Sequence, residues 1–192
     1  MNFLAHMYLT HNDKELTVGN YIADFIRNRD MVMFSDRIVD GIKLHRFIDQ
    51  YTDMHPEVLK STRKLRKRHG KYAPVVIDIF YDYILSMNWE SFADFSKRTF
   101  ADKIYGHINE FSYQFPLHLQ DISAGMIAGD FLLQYGRREG IIKTFHRISR
   151  RAKFDSNFET AFEDLERDYD EINDGFLRFF PDLIEEVEKF EF

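Results

Sequence analysis

The chain has 192 residues, with 26 Lys and Arg against 32 Asp and Glu, and it contains no cysteine. A chain of this length can bury about 70% of its unfolded surface in one domain. The absence of cysteine excludes disulfides, thiolate zinc sites and a cysteine nucleophile, and it favours a reducing compartment. No apolar run approaches the ~20 residues of a membrane span, and the N-terminal stretch lacks the basic lead-in of a signal peptide. The sequence therefore predicts a cytoplasmic protein that does not enter a membrane.

Helical periodicity dominates the chain, and no sustained alternation of apolar and polar residues indicates strands. Neither a linker nor an internal repeat suggests a second domain, so we expect a single all-α domain, a helical bundle, over 1–192. Pro56 and Pro74 suit the first turns of two helices, with Thr52 or Asp53 capping the first of them, and the last helix is expected to break near Pro181. The expected helices span 2–10, 15–29, 36–51, 56–69, 74–87, 89–112, 118–135, 138–150 and 156–190.

The first two expected helices each carry polar side chains four residues apart among apolar neighbours. "MNFLAHMYL" contains Asn2 and His6, and "VGNYIADFIRN" contains Asn20 and Asp24 with Gly19 beside them. Residues four apart share one face of a helix. Glycine and asparagine are poor formers of helix interiors, so a reason other than helix propensity is needed for them.

The third and fifth expected helices repeat this pattern. "GIKLHRFIDQYTD" places Gly41, His45 and Asp49 on one side of a helix, and "VIDIFYDYIL" does the same with Asp78 and Asp82. Burying such groups without partners costs several kcal/mol each. A compensating charge or hydrogen-bond network is therefore expected.

A divalent metal ion is the simplest compensation for this set of two imidazoles and up to four carboxylates. A nitrogen and oxygen set without sulfur suits Mn²⁺, Mg²⁺ or Fe²⁺ and can also hold Zn²⁺. Asn2 is expected to orient the His6 ring, and Arg46 is expected to flank the cavity and hold a phosphate. The alternative is a set of hydrogen-bonded core histidines and helix-capping carboxylates. The remaining histidines are expected at the surface: His11, His55, His69, His107, His118 and His146.

Charge is unevenly distributed along the chain. Residues 155–192 carry 14 Asp and Glu against 3 Lys and Arg, whereas the segments 60–71 and 137–153 each carry seven Lys and Arg. Such basic segments favour a polyanionic partner, unless the acidic C-terminal segment neutralises them. Nucleic acid is not expected as the partner, because the net charge is −6 and no nucleic-acid-binding motif is present.

Taken together, these motifs resemble the bacterial acyl carrier protein phosphodiesterase family. The resemblance rests on "MNFLAH", "GNYIADF", "GIKLHRFIDQYTD", "PEV", "IDIFYDYILSMNW", the Arg pair at 150–151 and "DLERDYDEINDGFLRFFP", in that order. It is dense over 1–90, thin from about 95 to 135, and it returns near the C-terminus.

The resemblance implies an all-α, HD-phosphohydrolase-like fold and a metal-dependent enzyme, with Mn²⁺ as the usual activator. The implied reaction hydrolyses the phosphodiester that joins 4′-phosphopantetheine to a serine of holo-acyl carrier protein, giving the apo protein. Matched motifs make His6, Asp24, His45 and Asp78 expected metal ligands and Arg46, Asp49 and Asp82 expected catalytic residues. The adjacent His-Asp pair of ordinary HD enzymes is absent, so their ligand scheme does not transfer directly. The residues expected to bind substrate or partner are Asn20, Arg66, Lys67, Arg150 and Arg151.

Two other functions remain open at this stage. One is an HD-like phosphohydrolase that acts on a nucleotide or a small pantetheine compound. The other is a non-catalytic helical protein whose polar centre is structural. The oligomeric state is not predicted.

Overall fold

The computed structural model describes residues 1–11, 13–154 and 156–192, and these residues form helices joined by short turns, without a strand. The predicted all-α class is therefore confirmed, whereas the relation to HD phosphohydrolases stays a prediction. The α-helices are α1 (Phe3–Tyr8), α2 (Lys14–Ile22), α3 (Asp36–Met54), α4 (Pro56–His69), α5 (Ala73–Met87), α6 (Lys97–Phe111), α7 (Leu117–Ala128), α8 (Phe131–Gln134), α9 (Arg138–Ser149) and α10 (Ala161–Glu188).

Several predicted helices are shorter than expected, and three of them show the cause. Helix α2 ends at Ile22, and a 3-10 segment follows at Asn28–Met33. Helix α6 begins only at Lys97, after the Ser96 hydroxyl accepts a hydrogen bond from the Thr99 N–H. The predicted helix 118–135 is interrupted by Gly129 and by Asp130, whose φ of 53° is left-handed. These interruptions depend on local backbone geometry that the apolar pattern does not record.

The predicted break near Pro181 is wrong. Helix α10 continues through Pro181, and its irregular point is Asp168, with φ −108° and ψ 16°. Phe179, Phe180 and Leu183 are fully buried around the proline, so packing on the core holds the helical path there. Tertiary packing thus overrides the local cost of a proline in a helix.

One apolar core runs through the described helices, with α5 at its centre. Helix α5 packs against α1, α4 and α10. Its Phe80 and Tyr81 are fully buried, and Tyr81 stacks on Phe179 at a centroid distance of 5.5 Å. This core brings α1, α3 and α5 together and so determines where their polar faces meet.

Helices α2 and α3 touch through two glycines. A methyl carbon added to Gly41 would lie 2.9 Å from Gly19 Cα and closer still to the Leu16 carbonyl oxygen. Only glycine permits so close an approach of two backbones. The contact places Asn20 of α2 directly beside His45 of α3.

The prediction that His69 lies at the surface is wrong. Its ring is buried, its Nε2 lies 2.8 Å from an oxygen of the buried Asp164, and its Nδ1 donates to the Ser156 carbonyl. The pair joins α4 to α10. No helix in the described ranges has both the length and the apolar character needed to cross a membrane.

Candidate metal centre

Two buried histidines from different helices stack face to face. The rings of His6, on α1, and His45, on α3, have centroids 4.1 Å apart and an interplanar angle of 20°. Asp49, one turn beyond His45, reaches both rings: its Oδ1 lies 3.1 Å from His6 Nε2 and its Oδ2 lies 3.2 Å from His45 Nε2. The four-residue spacing of α3 thus produces one cluster with a residue from α1.

Asn20 determines which nitrogen of each ring carries the proton. Its Oδ1 lies 2.9 Å from His6 Nδ1 and 3.0 Å from His45 Nδ1. The orientation of the amide follows from its Nδ2, which donates to the His6 carbonyl at 3.2 Å. Because a carbonyl oxygen only accepts, both Nδ1 atoms are donors. Both Nε2 atoms are therefore turned toward the carboxylate of Asp49.

This donor set fits a cation. Ligand atoms of His6, His45 and Asp49 all lie within 4.8 Å of one another. A neutral imidazole with its proton on Nδ1 presents a lone pair at Nε2, and this lone pair faces a carboxylate oxygen that is also an acceptor. A positive charge between them satisfies both acceptors. The arrangement, in which a second hydrogen bond orients each imidazole, is typical of histidines that bind metals.

The pKa values of the two histidines differ for a physical reason. Burial lowers the pKa of His6 to about 4. Burial also acts to lower the pKa of His45, but hydrogen bonds to Asp24 and Asp49 outweigh it and raise that pKa to about 9. The cluster therefore stabilises one positive charge at His45 Nε2, which is a proton when no cation is bound and which a bound cation would replace.

Asp24 lies at the outer edge of this cluster. Its Oδ1 is 3.3 Å from His45 Nε2, its side chain is 60% exposed, and the hydrogen bond to His45 lowers its pKa. It is close enough to supply a further oxygen ligand at the solvent side. The prediction that Asp24 and His45 belong to one site is consistent with this contact.

A cavity of about 270 Å³ opens in front of the cluster. Asp53, which was considered only as a capping group, lines this cavity; the cap of α4 is instead the His55 side chain. The signal for Asp53 was present in the sequence, because it continues the four-residue spacing of His45 and Asp49 by one more turn. The lining residues are Met1, Asn2, Asp24, His45, Asp49, Asp53, Val75 and Asp78.

Asp78 lines the same cavity from α5 but lies outside the three-residue cluster. Its Oδ1 accepts a hydrogen bond at 2.9 Å from the amino group of Met1. Burial raises its pKa, although the Met1 amino group acts to lower it. Its assignment as a metal ligand stays a prediction.

Asp82, the other predicted carboxylate of α5, does not line the cavity. It is fully buried and accepts backbone N–H groups of Leu4 at 2.7 Å, Ala5 at 3.2 Å and Asn2 at 3.3 Å. Burial raises its pKa to about 7 even though these hydrogen bonds act to lower it. These contacts cap the N-terminus of α1, which favours a structural role over the predicted catalytic one.

The two asparagines have contacts other than the predicted ones. Asn2 was expected to orient His6, but its Oδ1 instead accepts the Phe3 N–H and the Tyr135 hydroxyl. Asn20 was expected to bind substrate, but its side chain has no exposed surface and its polar atoms are used by His6 and His45. The predicted contact of Asn2 with His6 is therefore wrong, because spacing along one helix does not show which neighbouring helix is within reach. The substrate-binding role of Asn20 stays a prediction, which these contacts do not favour.

Comparison with known proteins adds to this geometry. The sequence model described as acyl carrier protein phosphodiesterase matches residues 1–183. The chain belongs to the acyl carrier protein phosphodiesterase family. The resemblance read from the motifs is thereby confirmed.

Relatives that carry the family name cover nearly the whole chain. An acyl carrier protein phosphodiesterase of Photorhabdus laumondii is 30% identical over 100% of this chain and 98% of its own length. Those of Pectobacterium atrosepticum and Escherichia coli O6:H1 are each 28% identical, the first over 96% of both chains and the second over 98% of both. No solved structure matches the chain.

The predicted basic residues of this family member lie outside the metal cluster. The exposed Arg46 donates to Asn28 Oδ1 in the 3-10 segment and does not line the cavity. The two predicted partner-binding pairs are exposed at the ends of α4 and α9; they are Arg66 with Lys67, and Arg150 with Arg151.

Proposed function

We propose that the protein is a metal-dependent phosphodiesterase that hydrolyses the bond between 4′-phosphopantetheine and the serine of holo-acyl carrier protein, leaving the apo protein. The observation that carries this proposal is the convergence of His6, His45 and Asp49 on one point. The family membership of the chain supplies the substrate class.

The proposed ion is Mn²⁺, with Mg²⁺, Fe²⁺ and Zn²⁺ as alternatives for a nitrogen and oxygen donor set. His6 and His45 would hold it through Nε2 and Asp49 through its carboxylate, while Asp24 and Asp78 would add oxygens from the cavity wall. When bound, such an ion lowers the pKa of a coordinated water and neutralises charge on a phosphoryl group.

The protein's own residues have distinct tasks in this proposal. Asn20 keeps both Nδ1 atoms protonated, so that both Nε2 lone pairs remain available. Asp53, exposed on the cavity wall, is positioned to accept a proton from the attacking water. Arg46 would hold the non-bridging phosphate oxygens after its guanidinium rotates away from Asn28.

The acidic protein substrate would be attracted by exposed basic residues. Arg66, Lys67, Arg150 and Arg151 remain the predicted contacts, since all four side chains are exposed. Long-range attraction between opposite charges raises the rate of encounter and weakens as salt is added.

The test incubates the purified protein with holo-acyl carrier protein and Mn²⁺ and follows the mass of the carrier. We expect loss of the phosphopantetheine group, no loss after chelation of the metal, and no loss with His45→Ala. His146→Ala, which changes an exposed histidine, serves as the matched control and should retain activity. Equal release by His45→Ala and the unmodified protein would refute the proposal, as would turnover of free pantetheine phosphodiesters but not of the carrier.

A further inference from the structure

Helix α9 lines a basic groove whose residues have no role in the proposed function above. Lys143 and Arg147, one turn apart and both exposed, line a cavity of about 340 Å³ together with Met126, Phe131 and Tyr135. We call this cavity the α9 groove. Its walls combine aromatic surface with two positive charges.

Among the residues that the structure describes, no ion pair neutralises the charges of the α9 groove, whereas three of the six Lys and Arg residues of α4 pair with α10. Within the described ranges, no carboxylate oxygen lies within 4 Å of the charged nitrogens of Lys143 or Arg147. Lys64, Arg68 and Arg138 each have such a partner. In the other basic segment, Lys60 and Lys64 pair with Glu171, and Arg68 pairs with Asp164 of α10. No carboxylate of the described part of the chain therefore competes with an external anion for Lys143 and Arg147.

The α9 groove is linked to the cavity of the candidate metal centre through two contacting side chains. Tyr135 forms part of its wall, is 3% exposed, and donates its hydroxyl proton to Asn2 Oδ1 at 2.9 Å. Asn2 in turn lines the cavity that contains His45 and Asp49. Two side chains thus separate the groove from the candidate metal centre. Arg147 lies near enough to Tyr135 to oppose the burial that raises the pKa of that hydroxyl.

The chemistry of the proposed substrate requires a docking surface near the mouth of the metal cavity. The scissile phosphodiester uses the serine's own side-chain oxygen, so no flexible arm separates the carrier from the reacting phosphorus atom. When the phosphate lies in the cavity, the acidic surface around the serine must lie at the cavity's edge. A basic groove next to that edge is complementary to it.

We propose that Lys143 and Arg147 of the α9 groove bind carboxylates of the carrier protein beside its modified serine. This inference rests on the proposed function and identifies the docking surface for its protein substrate. The α9 groove is the principal contact, and the exposed residues of α4 contribute attraction at longer range.

The experiment measures binding of fluorescently labelled apo-acyl carrier protein by anisotropy, which does not depend on turnover. The test variant is Lys143→Glu with Arg147→Glu. The control is Lys14→Glu with Lys103→Glu, which makes the same change of charge on exposed residues of α2 and α6. We expect the dissociation constant to rise at least about tenfold for the test variant and to change less than about twofold for the control.

Salt and steady-state kinetics supply further readouts. The difference between the test variant and the unmodified protein should shrink in 1 M salt, where the screening length is about 3 Å. With holo carrier, the test variant should raise KM and leave kcat nearly unchanged. Lys143→Gln with Arg147→Gln, which removes the charges without reversing them, should show a smaller effect in the same direction.

Several outcomes would overturn the inference. The first is unaltered carrier binding by the test variant, and the second is an equal loss of binding in the control. The third is that the test variant still binds the carrier but no longer self-associates as the unmodified protein does. Failure of the unmodified protein to bind any carrier would also overturn it. If the unmodified protein binds the carrier through these residues but releases no phosphopantetheine, the docking surface stands and the proposed function fails.

Discussion

At the scale of single residues, Asn20 organises the candidate site. One carbonyl oxygen contacts Nδ1 of both His6 and His45, and one amide nitrogen holds that oxygen in place. The four-residue pattern correctly indicated that these polar groups face inward. It could not show that Asn20 serves histidines on two other helices, because that contact depends on the distance between helices.

We therefore predict that Asn20→Ala weakens metal binding about 10- to 100-fold, because the imidazoles lose the hydrogen bond that orients them. Titration calorimetry with Mn²⁺ or Zn²⁺ on the folded protein measures this. Asn2→Ala is the control, since Asn2 contacts Phe3 and Tyr135 and not His6. A loss of affinity in Asn2→Ala equal to that in Asn20→Ala would contradict this assignment of roles.

Asp82 gives a second prediction at this scale. Its carboxylate accepts three backbone N–H groups at the start of α1, and all of them would lose their partner in Asp82→Ala. We expect the free energy of unfolding to fall by about 3–5 kcal/mol, because buried donors are left unpaired. Urea denaturation in metal-free buffer measures this change.

The comparison variant for Asp82 is Asp53→Ala, which changes an exposed carboxylate of the same cavity region. Its unfolding free energy should stay within about 0.5 kcal/mol of that of the unmodified protein. If Asp82→Ala were equally stable and only inactive, the original catalytic prediction for Asp82 would be restored.

At the scale of helices, the glycine contact between α2 and α3 decides the geometry of the site. The sequence placed Gly41 on the same side of a helix as His45 and Asp49. The structure shows that the space is taken by the backbone of α2 around Leu16 and Gly19. The helix ends were less predictable, because Ser96 and Asp130 act through local hydrogen bonds and backbone angles.

Gly41→Ala is predicted to force α2 away from α3. We expect a loss of about 3 kcal/mol or more in the free energy of unfolding, since the added carbon would overlap backbone atoms that cannot rotate away. Metal affinity should fall as well, because Asn20 moves with α2. Chemical denaturation and calorimetric titration measure the two effects.

The matched control is Gly106→Ala, in the interior of α6, where an added methyl carbon meets nothing within 4 Å. This change should stabilise the protein by about 0.5–1 kcal/mol, because alanine loses less conformational entropy in a helix. A stabilising effect of Gly41→Ala as well would show that α2 and α3 do not touch as described.

At the scale of the whole molecule, the two basic segments of the sequence have different neighbours. The acidic C-terminal segment forms α10 and pairs with α4, as the neutralisation alternative expected. Of the residues 156–192, which the structure describes, none forms an ion pair with Lys143 or Arg147 of the α9 groove. Composition alone could not distinguish these outcomes, because they depend on which helix packs beside α10.

The continuous apolar core predicts that the chain unfolds as one unit. Buried residues from α1 through α10 form a single cluster, which includes Met7, Phe80, Phe145 and Phe180. Differential scanning calorimetry should show one transition with an enthalpy of roughly 130 kcal/mol near 60 °C and agreement between calorimetric and van't Hoff values. Two resolved transitions would contradict the single-domain prediction.

The sequence by itself determined the helical class and the inward polar faces of α1, α2, α3 and α5, because the period of a helix is a local property of the chain. It also carried the motifs by which the family was recognised. Only the tertiary structure decided which inward residues meet: His6 with His45 and Asp49, Asp82 with the start of α1, and Asn20 with Nδ1 of both rings. These contacts depend on how closely and at what angle the helices pack, which the core and the two facing glycines determine together.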